Sequence, residues 1–196
     1  IKRLAIMDSD GGNHRFITNG QSLALSPRFS PDYKKIVYVS YLNNRVRVFI
    51  YDTVSGNQKL VTESSNTTFA PRWSPDGKKI LFSMAVGGNT DIYVISTEGG
   101  TPQRLTTAPG IDVGGSFSPD GSKIVFESDR SGTQQIYVMN ADGSDQRRIS
   151  FAGGRYATPE WSPRGDLIAF TRLGGGTIRV GVMTPSGSGE RLLTNS

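Results

Sequence analysis

The sequence predicts an all-β protein built from repeated four-stranded antiparallel sheets, and three observations carry that prediction. The first is a phrase that occurs four times: Phe29-Ser30-Pro31-Asp32, Trp73-Ser74-Pro75-Asp76-Gly77, Phe117-Ser118-Pro119-Asp120-Gly121 and Trp161-Ser162-Pro163-Arg164-Gly165. Its prolines, at 31, 75, 119 and 163, stand 44 residues apart, and a fixed period of that length marks a repeat architecture. The second is composition. With 24 Gly and 10 Pro in 196 residues and only 35% hydrophobic residues, the chain has the punctuation that short strands need and helices seldom carry. The third is what flanks each phrase: an aromatic residue before it and an apolar run after it. Within the phrase, Pro presets φ for a turn, Asp bonds the local backbone and Gly tolerates the left-handed conformation. Each phrase therefore reads as strand, tight turn, strand.

The third repeat shows the whole unit. Strand A ends at Gly115-Ser116-Phe117, and the turn leads into strand B, Lys123-Ile124-Val125-Phe126-Glu127. A loop of Ser128-Asp129-Arg130-Ser131-Gly132 leads to strand C, Gln135-Ile136-Tyr137-Val138-Met139. The turn Ala141-Asp142-Gly143 then gives strand D, Gln146-Arg147-Arg148-Ile149-Ser150. Four strands in 44 residues describe one blade of a β-propeller.

In chain order the reading gives a half blade, strands C and D, over 1–18, then complete blades over 25–62, 69–107, 114–150 and 157–195. The half blade follows from register, because residues 4–11 match residues 136–143, three periods later. Strands B and C are nearly continuous apolar runs, as at Ile36-Val37-Tyr38-Val39 and Ile92-Tyr93-Val94-Ile95, the pattern of strands covered on both faces. Strand D is polar, as at Gln103-Arg104-Leu105-Thr106, which suits an outer edge that must not pair with other molecules. No linker divides the chain. It reads as a single partial domain of about four and a half blades from a larger ring, with an open edge that is expected to associate in solution.

Little in the sequence supports catalysis or metal binding. There is no cysteine, and the one histidine, His14, follows a C-to-D turn. The Gly-x-Ser-x-Gly elbow that exposes a nucleophilic serine is missing. Gly174-Gly175-Gly176 has Arg179 where a dinucleotide fingerprint places its third glycine. The stretches Asp8-Ser9-Asp10-Gly11 and Asp142-Gly143-Ser144-Asp145 recur at the blade period as hairpin turns and lack the spacing of a calcium loop. We expect no catalytic residue, no metal and no cofactor. The formal charge of +5 comes from 22 basic and 17 acidic residues without a like-charge run, so nucleic acid is not the expected partner. No apolar stretch approaches the roughly 18 residues of a membrane helix, and no direct membrane insertion is expected.

Alternating strand direction puts the D-to-A and B-to-C connections on one face and the A-to-B and C-to-D turns on the other. The turn face repeats. The D-to-A segments, 19–24, 64–69, 108–113 and 152–157, vary and bring Phe69, Asp112, Arg155 and Tyr156 to the other face. Variable loops on a rigid scaffold are a common place for recognition.

The pattern Ser-Pro-Asp-Gly, then Ser128-Asp129-Arg130-Ser131-Gly132, then Ile136-Tyr137-Val138-Met139-Asn140-Ala141-Asp142-Gly143-Ser144 resembles the propeller repeat of the TolB family and of tricorn and prolyl-oligopeptidase relatives. The opening Lys2-Arg3-Leu4-Ala5-Ile6-Met7-Asp8-Ser9-Asp10-Gly11 and the later Arg147-Arg148-Ile149-Ser150-Phe151 make TolB the nearer likeness, over essentially the whole chain. The resemblance implies a six-bladed ring and a periplasmic, non-enzymatic scaffold of the Tol-Pal system, which supports outer-membrane integrity and cell division. Its propeller would bind the lipoprotein Pal, while TolA would be engaged by an N-terminal region not present here. The implied Pal-binding residues at the propeller mouth are Thr67, Thr68 and Ala70; Asp112, Val113 and Gly114; and Tyr156, Thr158 and Glu160. The alternative is the substrate-gating propeller of a prolyl-oligopeptidase or tricorn-like serine peptidase. A propeller lyase or sugar-binding protein is a third reading, which one histidine serves poorly.

Overall fold

Each repeat folds as the spacing of its turns dictates. In the computed structural model, which describes residues 2–42, 44–63 and 65–194, strands β1 (Ala5–Ile6) and β2 (Arg15–Phe16) form a two-stranded antiparallel sheet. Four four-stranded sheets follow. The first is β3 (Ala24–Phe29), β4 (Lys35–Leu42), β5 (Arg45–Asp52) and β6 (Gln58–Leu60). The second is β7 (Thr67–Trp73), β8 (Lys79–Val86), β9 (Asn89–Ser96) and β10 (Gln103–Arg104). The third is β11 (Asp112–Phe117), β12 (Lys123–Ser128), β13 (Gln135–Asn140) and β14 (Arg147–Arg148). The fourth is β15 (Arg155–Trp161), β16 (Ile168–Gly174), β17 (Thr177–Met183) and β18 (Arg191–Leu192). In each, sequential strands pair antiparallel, and no helix occurs among the described residues. This is the all-β propeller architecture the repeat predicts. Positions 64 and 195, which fall within the second D-to-A segment and at the end of the last expected blade, lie outside the described residues.

The core lies between blades rather than within them. Val37, Val39 and Val48 of the first sheet pack with Ile80, Phe82 and Ile95 of the second. Leu81, Ile92 and Val94 of the second pack with Ile124, Phe126 and Met139 of the third. Val125, Ile136 and Ile149 of the third pack with Tyr156, Ile168 and Phe170 of the fourth. Leu4 and Ile17, flanking the two-stranded sheet, cover Ile36 and Tyr38 of the first in the same way. Side chains alternate across each strand, so the even and odd members of one apolar run serve two different interfaces.

The strand D stretches contract to two or three residues, and a side chain takes over where the ladder stops. Thr18, Thr62, Thr106, Ser150 and Thr194 are 44 residues apart. Their hydroxyls accept the backbone N–H of Leu4, Val48, Ile92, Ile136 and Val180 respectively, at 2.9–3.0 Å. A hydroxyl here satisfies a donor at the blade edge that burial would otherwise leave costly.

The repeated turns are built alike. Ser30, Ser74 and Ser118 donate their hydroxyls to Asp32, Asp76 and Asp120 at 2.5–2.6 Å and accept the N–H of Lys35, Lys79 and Lys123 at 2.9 Å. The bond from serine holds each of these exposed carboxyls below the ordinary 3.8, that of Asp120 at about 2. In the fourth turn Arg164 stands at the aspartate's place, and Asp166, two residues on, accepts the Ser162 hydroxyl at 2.7 Å instead. Neighbouring turns also touch: a Cβ on Gly77, Gly121 or Gly165 would meet the ring of Pro31, Pro75 or Pro119 of the preceding blade at 3.6–3.7 Å.

Tyr33 holds the place of those glycines and shares their left-handed backbone, with φ of 59° against 69° to 76°. A Cβ in that conformation is strained. Tyr33 is three-quarters exposed, so little packing offsets the strain. We expect Tyr33→Gly to raise unfolding free energy by about 0.5–1 kcal/mol in urea titration; a lowered midpoint would show that the contact of its ring with Phe29, 6.2 Å between centroids, outweighs the backbone.

Candidate functional site

Strand A of every blade lines the propeller axis, and each one is interrupted at the same place. The pairing of A with B shifts register between Leu25 and Arg28, Phe69 and Arg72, Val113 and Ser116, and Ala157 and Glu160. Ser26, Ala70, Gly114 and Thr158, one period apart, have φ of 51° to 67°. A β-bulge with its first residue left-handed adds one residue to the strand and bends it. It also resets which side chains face inward.

This geometry sorts the nine residues implied at the mouth. Thr67 and Thr158 are exposed, and Val113, Ala70 and Gly114 are partly so. Thr68, Asp112 and Tyr156, which share one phase just inside the loops, are wholly buried. Their side chains therefore do not form an exposed contact surface, a correction to their expected role. The Thr68 hydroxyl donates to Val46 O at 3.1 Å. Asp112 pairs with Arg130 at 2.6 Å. Tyr156 lies 5.2 Å from Phe170 between ring centroids and donates its hydroxyl to Glu190 at 2.8 Å; burial, and then that bond, push its pKa up. Each anchors the base of a loop.

Glu160 is also displaced from the expected mouth. It follows the bulge, lines the half of the channel next to the turns, together with Pro31 and Pro75, and accepts the Ser116 hydroxyl at 3.2 Å. The mouth instead receives Glu127, which the sequence reading passed over. Glu127 reaches from β12 to the next blade, where its Oε1 accepts the N–H of Thr158 at 2.6 Å, and it also accepts from Gln134. Burial raises its pKa against both bonds. A carboxylate thus ties the third blade to the left-handed residue of the fourth.

Beside these residues a cavity of about 330 Å³ opens on the loop face, lined by Ile111, Asp129, Gly132, Thr133, Gln134 and Arg155. Ile111 is half exposed, Arg155 donates to Gln134 at 3.0 Å, and the Ile111 N–H is held by Asp129 at 2.7 Å. Gly110, at φ 128°, allows that approach, for a Cβ there would lie 2.5 Å from the Asp129 carboxylate. Phe151, 70% exposed, stands on the following D-to-A loop with Arg148 over its ring at 5.2 Å. Ile111 and Arg155 occupy one phase, the period linking them being the signal that could have brought Ile111 into the site. An apolar anchor beside adaptable polar groups suits a protein partner. Among the described residues no three His, Cys, Asp or Glu cluster as metal ligands.

Comparison with known proteins agrees with this architecture. A family model described as the TolB beta propeller domain matches residues 2–196. The Tol-Pal system protein TolB of Sphingopyxis alaskensis is 96% identical over 50 residues, 26% of this chain and 11% of that protein. The crystal structure of TolB from Acinetobacter baumannii superposes with a TM-score of 0.87 at 32% identity, covering 98% of this chain and 48% of that one. The chain thus spans about half the length of that solved relative. A puromycin-hydrolysing peptidase of Mycobacterium tuberculosis matches with a TM-score of 0.74 at 17% identity, over 95% of this chain and 30% of its own, a likeness of fold alone.

Proposed function

We propose a function from one premise: the chain belongs to the TolB beta propeller domain family. It acts as a non-enzymatic protein-binding scaffold of the Tol-Pal system, in the periplasm, where it receives the lipoprotein Pal and so serves outer-membrane integrity and cell division. The observation that carries the reading is the division of labour on strand A and its loops. Thr68, Asp112 and Tyr156 are spent on fixing the loop bases, while Thr67, Ile111, Arg155 and Thr158 remain exposed above them. A preordered surface loses less entropy when a partner docks.

The exposed residues are the ones that meet Pal in this reading. Thr67→Glu and Ile111→Glu are expected to weaken binding of purified Pal at least tenfold, about 1.4 kcal/mol or more each, in calorimetric titration with the full-length protein. Tyr33→Glu, on the turn face, leaves the affinity unchanged. If both loop-face variants bind Pal as the parent does, the assignment of this face is wrong. The peptidase alternative has only a shared fold in its favour.

A further inference from the structure

The half of the channel next to the turns has its own chemistry. Beyond the bulge, the inward positions of the four A strands are Arg28, Arg72, Ser116 and Glu160, one period apart. They line a cavity of about 300 Å³ together with Trp73 and Phe117. Two guanidiniums therefore face one carboxylate across it. Glu160 is turned to Ser116, whose hydroxyl it accepts at 3.2 Å, and no ion pair within 4.0 Å joins it to either arginine among the described residues.

Both arginines are folded along their own strands. Arg28 Nη1 donates to Pro27 O at 2.9 Å and Arg72 Nη1 to Pro71 O at 3.1 Å, which fixes the planes of the guanidiniums and spends one donor on each. Arg72 Nε is buried and has no hydrogen-bond partner. A buried guanidinium donor without an acceptor is costly, and Nε belongs to the edge of the fork that matches a carboxylate or phosphate. Burial, followed by the charge of Arg28, lowers the pKa of Arg72, with Glu160 opposing; the local balance is an excess of positive charge.

We propose that this half of the channel binds an oxyanion, a carboxylate or phosphate group, between the guanidiniums of Arg28 and Arg72. The site is on the opposite side of the bulge from the loop face and does not depend on the assignment of Pal. Ser116 and the Glu160 carboxylate set its far wall, so a small oxyanion group fits better than a polyanion.

Trp73 reports on it directly, because its Nε1 donates to Arg28 O at 3.0 Å and its ring lines the cavity. The chain has two tryptophans, and Trp161→Phe leaves Trp73 as the sole indole. Fluorescence titration of that variant at pH 7 with sodium phosphate, and separately with sodium acetate, is expected to saturate with a midpoint on the order of a few millimolar. Sodium chloride at matched ionic strength should produce no saturating change. Saturation by phosphate alone assigns a phosphoryl group, and saturation by acetate a carboxylate. Arg28→Gln, at an exposed position, should weaken the response at least tenfold, Arg72→Gln should abolish it, and Arg164→Gln, whose guanidinium is engaged by Asp166 at 3.0 Å, should leave it intact. The absence of saturation with both oxyanions in fluorescence and calorimetry would overturn the proposal, as would a response kept at full strength in Arg28→Gln.

Discussion

Ile136→Ala should cost about 3–4 kcal/mol of unfolding free energy, whereas Val180→Ala, at the same place one blade later, should cost less than about 1 kcal/mol. The two positions are 44 residues apart. Ile136 has no exposed surface and is seated between the third and fourth sheets with Ile149 and Tyr156. Val180 is 44% exposed, and Ile178 and Leu193 beside it are 69% and 55% exposed. No described strand packs on that face of the fourth sheet. Val48 is the matched control: it stands three periods before Val180, is the same residue, and is wholly buried. Its replacement by alanine should cost about 2–3 kcal/mol, the transfer of two methyl groups plus the cavity they leave. Urea titration of the three variants measures the differences. Equal costs at Val48 and Val180 would mean that the outer face of the fourth sheet is buried in solution, and a midpoint rising with protein concentration would identify a second copy as the cover.

The fold was legible because its signal is written several times. One Ser-Pro-Asp-Gly phrase is an ordinary turn; four of them at one spacing fix the strand order, and the match of residues 4–11 to 136–143 finds even the strands that lack the phrase. Other devices repeat in space without repeating in letters. The left-handed residue of strand A is Ser26, Ala70, Gly114 and Thr158 in turn, so no shared residue type announces the bulge. Its conformation is imposed where the innermost strand bends around the axis. A one-residue shift in a strand moves its side chains to the opposite face. That shift explains why the family-matched residues divide as they do: Thr68, Asp112 and Tyr156 fall inside, and Glu160 falls beyond the bulge among the turn-side residues. The hydroxyls at 18, 62, 106, 150 and 194 are in plain view, but Ser and Thr are too common on blade edges to suggest a bond until strand D is seen to stop short.

Asp112→Leu should be among the most damaging changes on the loop face, costing about 3–5 kcal/mol. The reason is Arg130, 17% exposed, which has one acceptor for each side of its guanidinium: Asp112 at 2.6 Å, Gln146 at 2.7 Å and Ser128 at 2.8 Å. It also stands 5.0 Å from the Tyr137 ring centroid. These partners belong to the start of strand A, the approach to strand D and the end of strand B, so one side chain joins three segments of the third blade. Removing the carboxylate leaves the guanidinium buried and short of charge. Arg130→Met leaves Asp112 in the same condition, with both carboxylate oxygens then unpaired, since Oδ1 already lacks a partner. Removing both charges is different, because a buried ion pair is often matched by apolar groups of similar volume. The Asp112→Leu, Arg130→Met double variant should therefore cost less than either single change, about 2 kcal/mol or below, giving a coupling of several kcal/mol in a double-mutant cycle by urea titration. The adjoining loop supplies a second readout. Asp129, next to Arg130, holds the Ile111 N–H, so each single variant should speed amide exchange over residues 110–113 before it affects the first sheet. Additive costs in the cycle, or exchange that rises uniformly through the chain, would show that the pair is incidental to the loop.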